Sequence, residues 1–260
     1  MIRQVWIALR LTLVELAHNR FAMLLLAVYL PAWYGVIYWL TDDASIGFQL
    51  RAFHVFVATS QHRLGLLTGM LNATTLIMGF VALSAVRRSA LVDQRLVLCG
   101  YSRSALILGR LLAFAATSVL LSLYAVLVLA AFTPPHYPGM VVAGTFGAVL
   151  TYAAIGVLAG VLARGDLEGF FVIIMLSLVD TFIQSPIGNP AANRAVVEYF
   201  PSYFPMQIVV GAAIANRVAP WEFWGSLAWA GGLGMLGVLG FWQRTKSGGT
   251  AGHGRPRPRP

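Results

Sequence analysis

Asp180 is the residue in this sequence whose type and setting most demand a chemical explanation. It stands in the apolar run FFVIIMLSLVDTFIQ, residues 170–184. A carboxylate at membrane depth costs about 2.5–3.5 kcal/mol on insertion scales, so it must face a polar cavity or a partner, unless it lies near the outer end of the run, where that cost falls. The remaining reactive groups are weaker candidates. Asp166 and Glu168 form a close acidic pair, but beside Arg164 in the loop RGDLEG they read as a topology patch. His54 and His62 stand eight positions apart, which does not build a compact metal site, and both read as surface histidines. Cys99 is the single cysteine, excluding an intramolecular disulfide and a cysteine-based metal cluster. No GxxxxGK[ST] phosphate loop, HExxH or GxSxG occurs, and the one lysine, Lys246, follows the last apolar run. The chain therefore has no route of its own to ATP by a P-loop, and no constellation argues for an enzyme.

The most unusual polar stretch is RRSALVDQRLVLCGYSRSALILGR, residues 87–110, in which five arginines (87, 88, 95, 103 and 110) face one acid, Asp93. Leu91, Leu96, Val97, Leu98 and Tyr101 lie among those charges. Two readings stand. A short helix, part apolar and part basic, placed just outside a membrane would suit docking onto another protein. A solvated basic loop would do no more than fix topology.

The elements that carry these residues follow from composition. The 260 residues are 58% hydrophobic and 10% charged, with a mean hydropathy of +0.76. Soluble chains are roughly 25% charged, so the expected class is an all-α integral membrane protein. Residues 2–18 predict an amphipathic helix, with Ile2, Val5, Trp6, Leu9, Leu13 and Leu16 on one face; it can lie in the membrane interface or pack on the protein. Arg3, Arg10, Glu15 and Arg20 interrupt the first 20 residues, leaving no uninterrupted core of a cleavable signal.

Six transmembrane helices are expected, at about 21–40, 67–86, 105–132, 140–163, 170–184 and 221–242, within a single domain covering 1–242. Pro31 should kink the first. Its aromatic residues Trp33, Tyr34, Tyr38 and Trp39 suit an interfacial belt or the lining of a path for an aromatic substrate. Residues 41–66 read as a polar connection in which Phe48, Phe53 and Phe56 suggest a short surface or half-inserted helix. Gly156 and Gly160 form a GxxxG packing signal in the fourth span. Before the sixth span, Pro186, Pro190, Pro201, Pro205 and Pro220 surround an apolar run at 206–215 that is too short to span, which predicts a re-entrant or broken helical hairpin. Residues 243–260 read as a disordered basic tail.

With the N-terminus inside, six spans put 14 basic residues on the inner side and 4 on the outer, of 18 in the chain. The net charge of +9 is then explained by positive-inside topology, with no need for nucleic acid. The expected location is the cell membrane, multi-pass, with both termini cytoplasmic.

This layout resembles the permease subunits of ABC type 2 exporters over essentially the whole chain except the tail. The most specific likeness is Gly100-Tyr101-Ser102-Arg103 followed by Leu106-Ile107-Leu108-Gly109-Arg110-Leu111-Leu112, similar to the family's Pro-x-Ser-Arg, apolar residues, Gly-Lys/Arg-Leu at the entry to the third span. Tyr199-Phe200-Pro201-Ser202-Tyr203 loosely resembles the family's Asn-Pro-x-x-Tyr-like turn. Where members often carry Glu-x-Glu-x-Gly-Thr, this chain has Arg87-Arg88-Ser89-Ala90-Leu91-Val92. The resemblance implies a cytosolic coupling helix over 89–101, with Leu91, Asp93, Arg95, Leu96, Leu98, Tyr101 and Arg103 meeting a separate cytosolic ABC ATPase. It implies no cofactor in this chain, ATP and Mg being bound by that partner. It also implies a second permease, as homo- or heterodimer, and outward movement of a drug-like, lipid or glycolipid substrate across the bilayer. Tyr34, Tyr38, Asp180 and Gln184 are then candidates for the pathway. The competing expectation is an ion-coupled transporter or channel using Asp180.

Overall fold

Long apolar runs become long helices, and small residues on one of them draw the others close. The computed structural model describes residues 1–189, 194–218 and 220–247, leaving out the side chains at 21, 22, 25, 91 and 241–247. The basic tail beyond Ser247 and the side chain of Leu91 therefore lie outside the described residues. The helices are α1 (Ile2–His18), α2 (Arg20–Leu24), α3 (Leu30–Leu40), α4 (Gln61–Leu98), α5 (Arg103–Phe132), α6 (Pro138–Leu162), α7 (Asp166–Gln184), α8 (Tyr203–Ala213) and α9 (Pro220–Ser247). Among the described residues the architecture is all-α apart from one hairpin, β1 (Ser45–Leu50) paired antiparallel with β2 (Val55–Ser60).

Among the described residues, four helical segments are long and apolar enough to cross a membrane: Gln61–Ala90, Arg103–Phe132, Pro138–Leu162 and Pro220–Gly240. The expected first span is a helix interrupted by a π-helical turn, Leu25–Tyr29, between α2 and α3. That turn lies just ahead of Pro31, whose ring would clash with the carbonyl four residues back in a regular helix. The departure from regular α-helix thus falls before the proline. The fifth expected span is the 19-residue α7, which opens with Asp166 and Glu168 in its first turn, where acids suit the helix dipole.

α6 is the central helix. It lies against α4, α5, α8 and α9, and a Cβ added at Gly156 would strike the Gly79 carbonyl of α4 and approach Ala82 Cβ to 2.9 Å. The GxxxG pair is thereby a contact between α6 and α4, since Gly160 faces Val86. α1 lies across α5 with Ala8, Thr12 and Leu16 buried; Gly109 of α5 admits the α1 backbone at Val5 and Leu9. Trp6, Leu11 and Val14 remain exposed on α1, so the helix is docked on the protein by one stripe and leaves apolar side chains on another.

Residues 41–66 correct the expected short helix. Ser45, Gly47 and Gln49 are exposed while Ile46, Phe48 and Leu50 turn inward, a period of two that belongs to a strand. Val55, Val57 and Thr59 add β-branched residues on the partner strand. Ser60 then caps α4, its Oγ accepting the Arg63 N–H at 3.3 Å, so that helix starts well before residue 67. It also ends later than expected. Of the two readings of the basic stretch, a short helix or a solvated loop, residues 87–98 are helical and continuous with the span, because no glycine or proline interrupts residues 81–99. Gly100, at φ +88°, stops it with Gly100 N–H to Val97 and Tyr101 N–H to Leu96, a Schellman ending.

Candidate functional site

Asp180 is fully buried, and donors from three elements converge on it. From α6, Tyr152 Oη donates to Oδ2 at 2.9 Å. From the turn before α8, Ser202 Oγ donates to Oδ2 at 2.6 Å, and the Ser202 N–H is shared between Oδ2 at 3.2 Å and Oδ1 at 3.4 Å. One turn further along α7, Gln184 Nε2 donates to Oδ1. One turn earlier, Ser177 continues the polar seam: Asn72 Nδ2 donates to Ser177 Oγ at 3.1 Å, and the Thr75 and Ser177 hydroxyls are 3.0 Å apart. Asp180 forms no ion pair with any cation among the described residues. The carboxylate is held by neutral donors, and it ties α7 to α6 and to the entry of α8. Asn72 and Thr75 are polar points that the sequence offers for bonds to neighbouring helices, and here they meet Ser177 of α7. Tyr152 has no such signal, and Ser202 appears in sequence only within the turn at 199–203; what announces both is that a buried carboxylate needs donors.

Gln184 leads outward from this seam. It lines a cavity of about 410 Å³ between the hairpin, the residues that follow α7, and α8. Gln49, Asn189 and Gln207 also line it, with Phe48, Phe56 and Met206.

The other two pathway candidates stand apart. Tyr34 is buried, donates from Oη to the Ala125 carbonyl at 3.2 Å and stacks on Phe132 with ring centroids 5.8 Å apart, so it clips α3 to α5. Tyr38 is half exposed and meets the His62 ring edge-on at 4.5 Å. Among the described residues, no hydrogen bond or ring contact joins this tyrosine pair to Asp180 or Gln184. His62 packs on Tyr38 and Thr41, His54 occupies a left-handed turn, and no group of three metal-ligating side chains occurs among the described residues.

At the opposite end of the molecule, the arginine-rich stretch divides into a brace and an outer face. Asp93 is buried at the level where α4 passes α5, and Arg110 of α5 meets it through both nitrogens: Nη2 donates to Oδ1 at 2.8 Å, and Nη1 lies 2.6 Å from Oδ2, off the line of a hydrogen bond. Burial pushes the Asp93 carboxyl above its ordinary value of 3.8; Arg110 opposes that shift and Glu15 adds to it. Tyr101 Oη donates to the Gln4 carbonyl, tying the turn after α4 to α1. Arg87 pairs with Asp166 and donates to the Ala163 carbonyl at 2.8 Å, fastening the α6–α7 corner; Glu168 Oε2 accepts the Arg164 N–H at 2.8 Å.

The seven coupling candidates therefore differ. Asp93 and Tyr101 point into the structure, and Leu96 and Arg103 are half buried. Arg95 and Leu98 are exposed, Leu98 at 86%. Val92 is exposed beside them and was not among the expected contacts. No family model matches the chain, and no curated protein matches it either.

Proposed function

We propose that this chain is the membrane-spanning subunit of an exporter, driven by a separate cytosolic ATPase that docks where α4 ends. The observation that carries the reading is the end of α4 itself. Eight residues, 91–98, project beyond the apolar segment Gln61–Ala90, end at Gly100, and present Val92, Arg95 and Leu98 outward. An apolar side chain as exposed as Leu98, on a helix braced from behind by Asp93–Arg110 and by Tyr101–Gln4, suits a partner that pushes on it. The likeness of residues 100–112 to ABC type 2 permeases supplies the nature of that partner.

The reading includes six spans, with α2–α3 as the first and α7 as the fifth, and both termini on the cytoplasmic side. The ATPase binds ATP and Mg; this chain supplies packing that answers to its closure. Reversing a 1:99 equilibrium between two packings takes about 5.5 kcal/mol of differential interaction. That energy enters through α4 and α1 and reaches α7 through the seam at Asn72, Thr75 and Ser177. A second permease completes the pathway, and a drug-like, lipid or glycolipid substrate moves outward.

Co-purification from the native membrane tests the reading: a P-loop ATPase accompanies the wild type and is lost from a folded Leu98→Glu variant. Absence of any ATPase from the wild type sinks it.

A second reading is ion-coupled transport through Asp180. It has one observation in its favour, a fully buried carboxylate with no paired cation among the described residues. Proton-driven transport by the purified chain in liposomes, abolished by Asp180→Asn, is the result it requires.

A further inference from the structure

The cavity at the hairpin end is built from groups that select a ligand. Its walls come from three places: the strand residues Gly47 to Leu50 with Phe56, the residues after α7, and α8. About 410 Å³ falls within the range of small-molecule sites. The side chains that line it include four amides, Gln49, Gln184, Asn189 and Gln207, and two aromatic rings, Phe48 and Phe56. None of the described lining residues is charged. An ionised ligand would give up its hydration with no opposite charge to meet, so the walls favour a neutral one.

Gln184 narrows the class further. It is only 7% exposed, and its Nε2 is committed to Asp180. Its Oε1 is buried and accepts no hydrogen bond among the described residues. Once the amide nitrogen is spent, what Gln184 has left to offer the cavity is an acceptor, and its complement is an O–H or N–H donor. A second amide, Gln207, is half spent in the opposite sense: its Oε1 accepts the Ala52 N–H at 3.2 Å, which leaves its NH2 as a donor. Ligand groups that both donate and accept satisfy such a pair, and hydroxyls do so at every position. Across from α8, Gly47 lacks a side chain and the Phe56 ring lies over it, an apolar plane at the edge of a polar pocket.

We propose that this cavity binds a neutral polyhydroxylated ligand, a sugar ring whose hydroxyls engage Gln184 and Gln207 while its C–H face rests on Phe56. The same chemistry is offered by a free sugar and by the head group of a neutral glycolipid. The proposal extends the exporter reading by naming a ligand class at the hairpin end. It is tested by binding alone, so ATPase co-purification and sugar binding can fail separately.

The experiment uses the full chain in phosphatidylcholine nanodiscs. Maltose binding is followed by saturation-transfer NMR, and retention of monoglucosyl diacylglycerol by native mass spectrometry. Phe56→Ala and Gln184→Met are compared with the wild type; Phe56 is 71% exposed, so its loss does not endanger the fold. The expected result is saturable binding of at least one probe, weakened about tenfold by each variant. Maltose binding assigns the site to a free sugar, and retention of the glycolipid alone assigns it to a head group. Failure of both probes overturns the proposal, as does wild-type affinity in Phe56→Ala. Displacement of the bound sugar by the neutral amide acetyl-alanine-methylamide at equal concentration overturns the polyhydroxyl class.

Discussion

Ser202 and Asp180, 22 residues apart in the chain, are joined through both the backbone N–H and the hydroxyl of the serine. These two hydrogen bonds fix the start of α8 to α7, and Tyr152 adds α6 to the same carboxylate. Removing the carboxylate leaves three donor residues without their acceptor, each buried donor costing about 1–3 kcal/mol where it finds no other partner. Asp180→Ala is expected to lower stability by about 2 kcal/mol or more, read as earlier thermal unfolding of the detergent-solubilised protein by tryptophan fluorescence. Ser202→Ala, which keeps the backbone bond, should cost about half as much. An Asp180→Ala variant as stable as the wild type would show that the knot does not hold the helices.

Gly156 of α6 lies directly against the Gly79 carbonyl of α4, the helix that carries the proposed lever. Gly156→Leu must push α6 away from the Gly79 carbonyl and Ala82. Overpacking of this kind costs about 1–3 kcal/mol, so the expected outcome is loss of stability with reduced yield of folded protein. Gly139→Ala, where a Cβ meets nothing within 4 Å, is the matched control and should behave as the wild type.

Asp93 gives a pH dependence whose sign is fixed by its burial. Its pKa is raised above 3.8, so the folded state holds the proton more tightly than the unfolded chain. The contribution to stability is therefore full below 3.8 and is lost as pH rises through the raised value. The stability of wild type minus that of Asp93→Asn should fall as pH is raised from 3.8, measured by thermal unfolding across the acid range. A difference that grows with pH instead would mean that the Arg110 pair outweighs burial. Arg110→Met, which leaves the buried acid alone, should steepen the fall.

Much of this arrangement is legible in the residues, and what is not has a physical reason. The hydrophobic runs that become α4, α5, α6 and α9 are visible because each apolar stretch must be long enough to span. The end of α4 is hard to place from sequence because a run of charge suits a solvated loop as well as a helix; Arg87, Arg88 and Arg95 are good helix formers, and the stop is Gly100. The hairpin is obscured in sequence by Phe48, Phe53 and Phe56, whose spacing suggests a short helix. The alternation from Ser45 to Leu50 carried the strand signal instead. Asp180 was identified as costly, yet Tyr152 and Ser202 reach it from other elements, and no local pattern encodes such a meeting. Asp93 is an outer contact only by the resemblance; as one acid among five arginines it instead braces one of them, Arg110.

Cys99 follows Leu98 directly at the end of α4, is exposed, and is the single cysteine of the chain, which makes the central claim directly measurable. A benzophenone maleimide placed on Cys99 in native membranes and irradiated should yield one dominant adduct with a P-loop ATPase, and Leu98→Glu should abolish it while labelling of Cys99 continues. Adducts with lipid alone, or with proteins that do not bind ATP, would contradict the account.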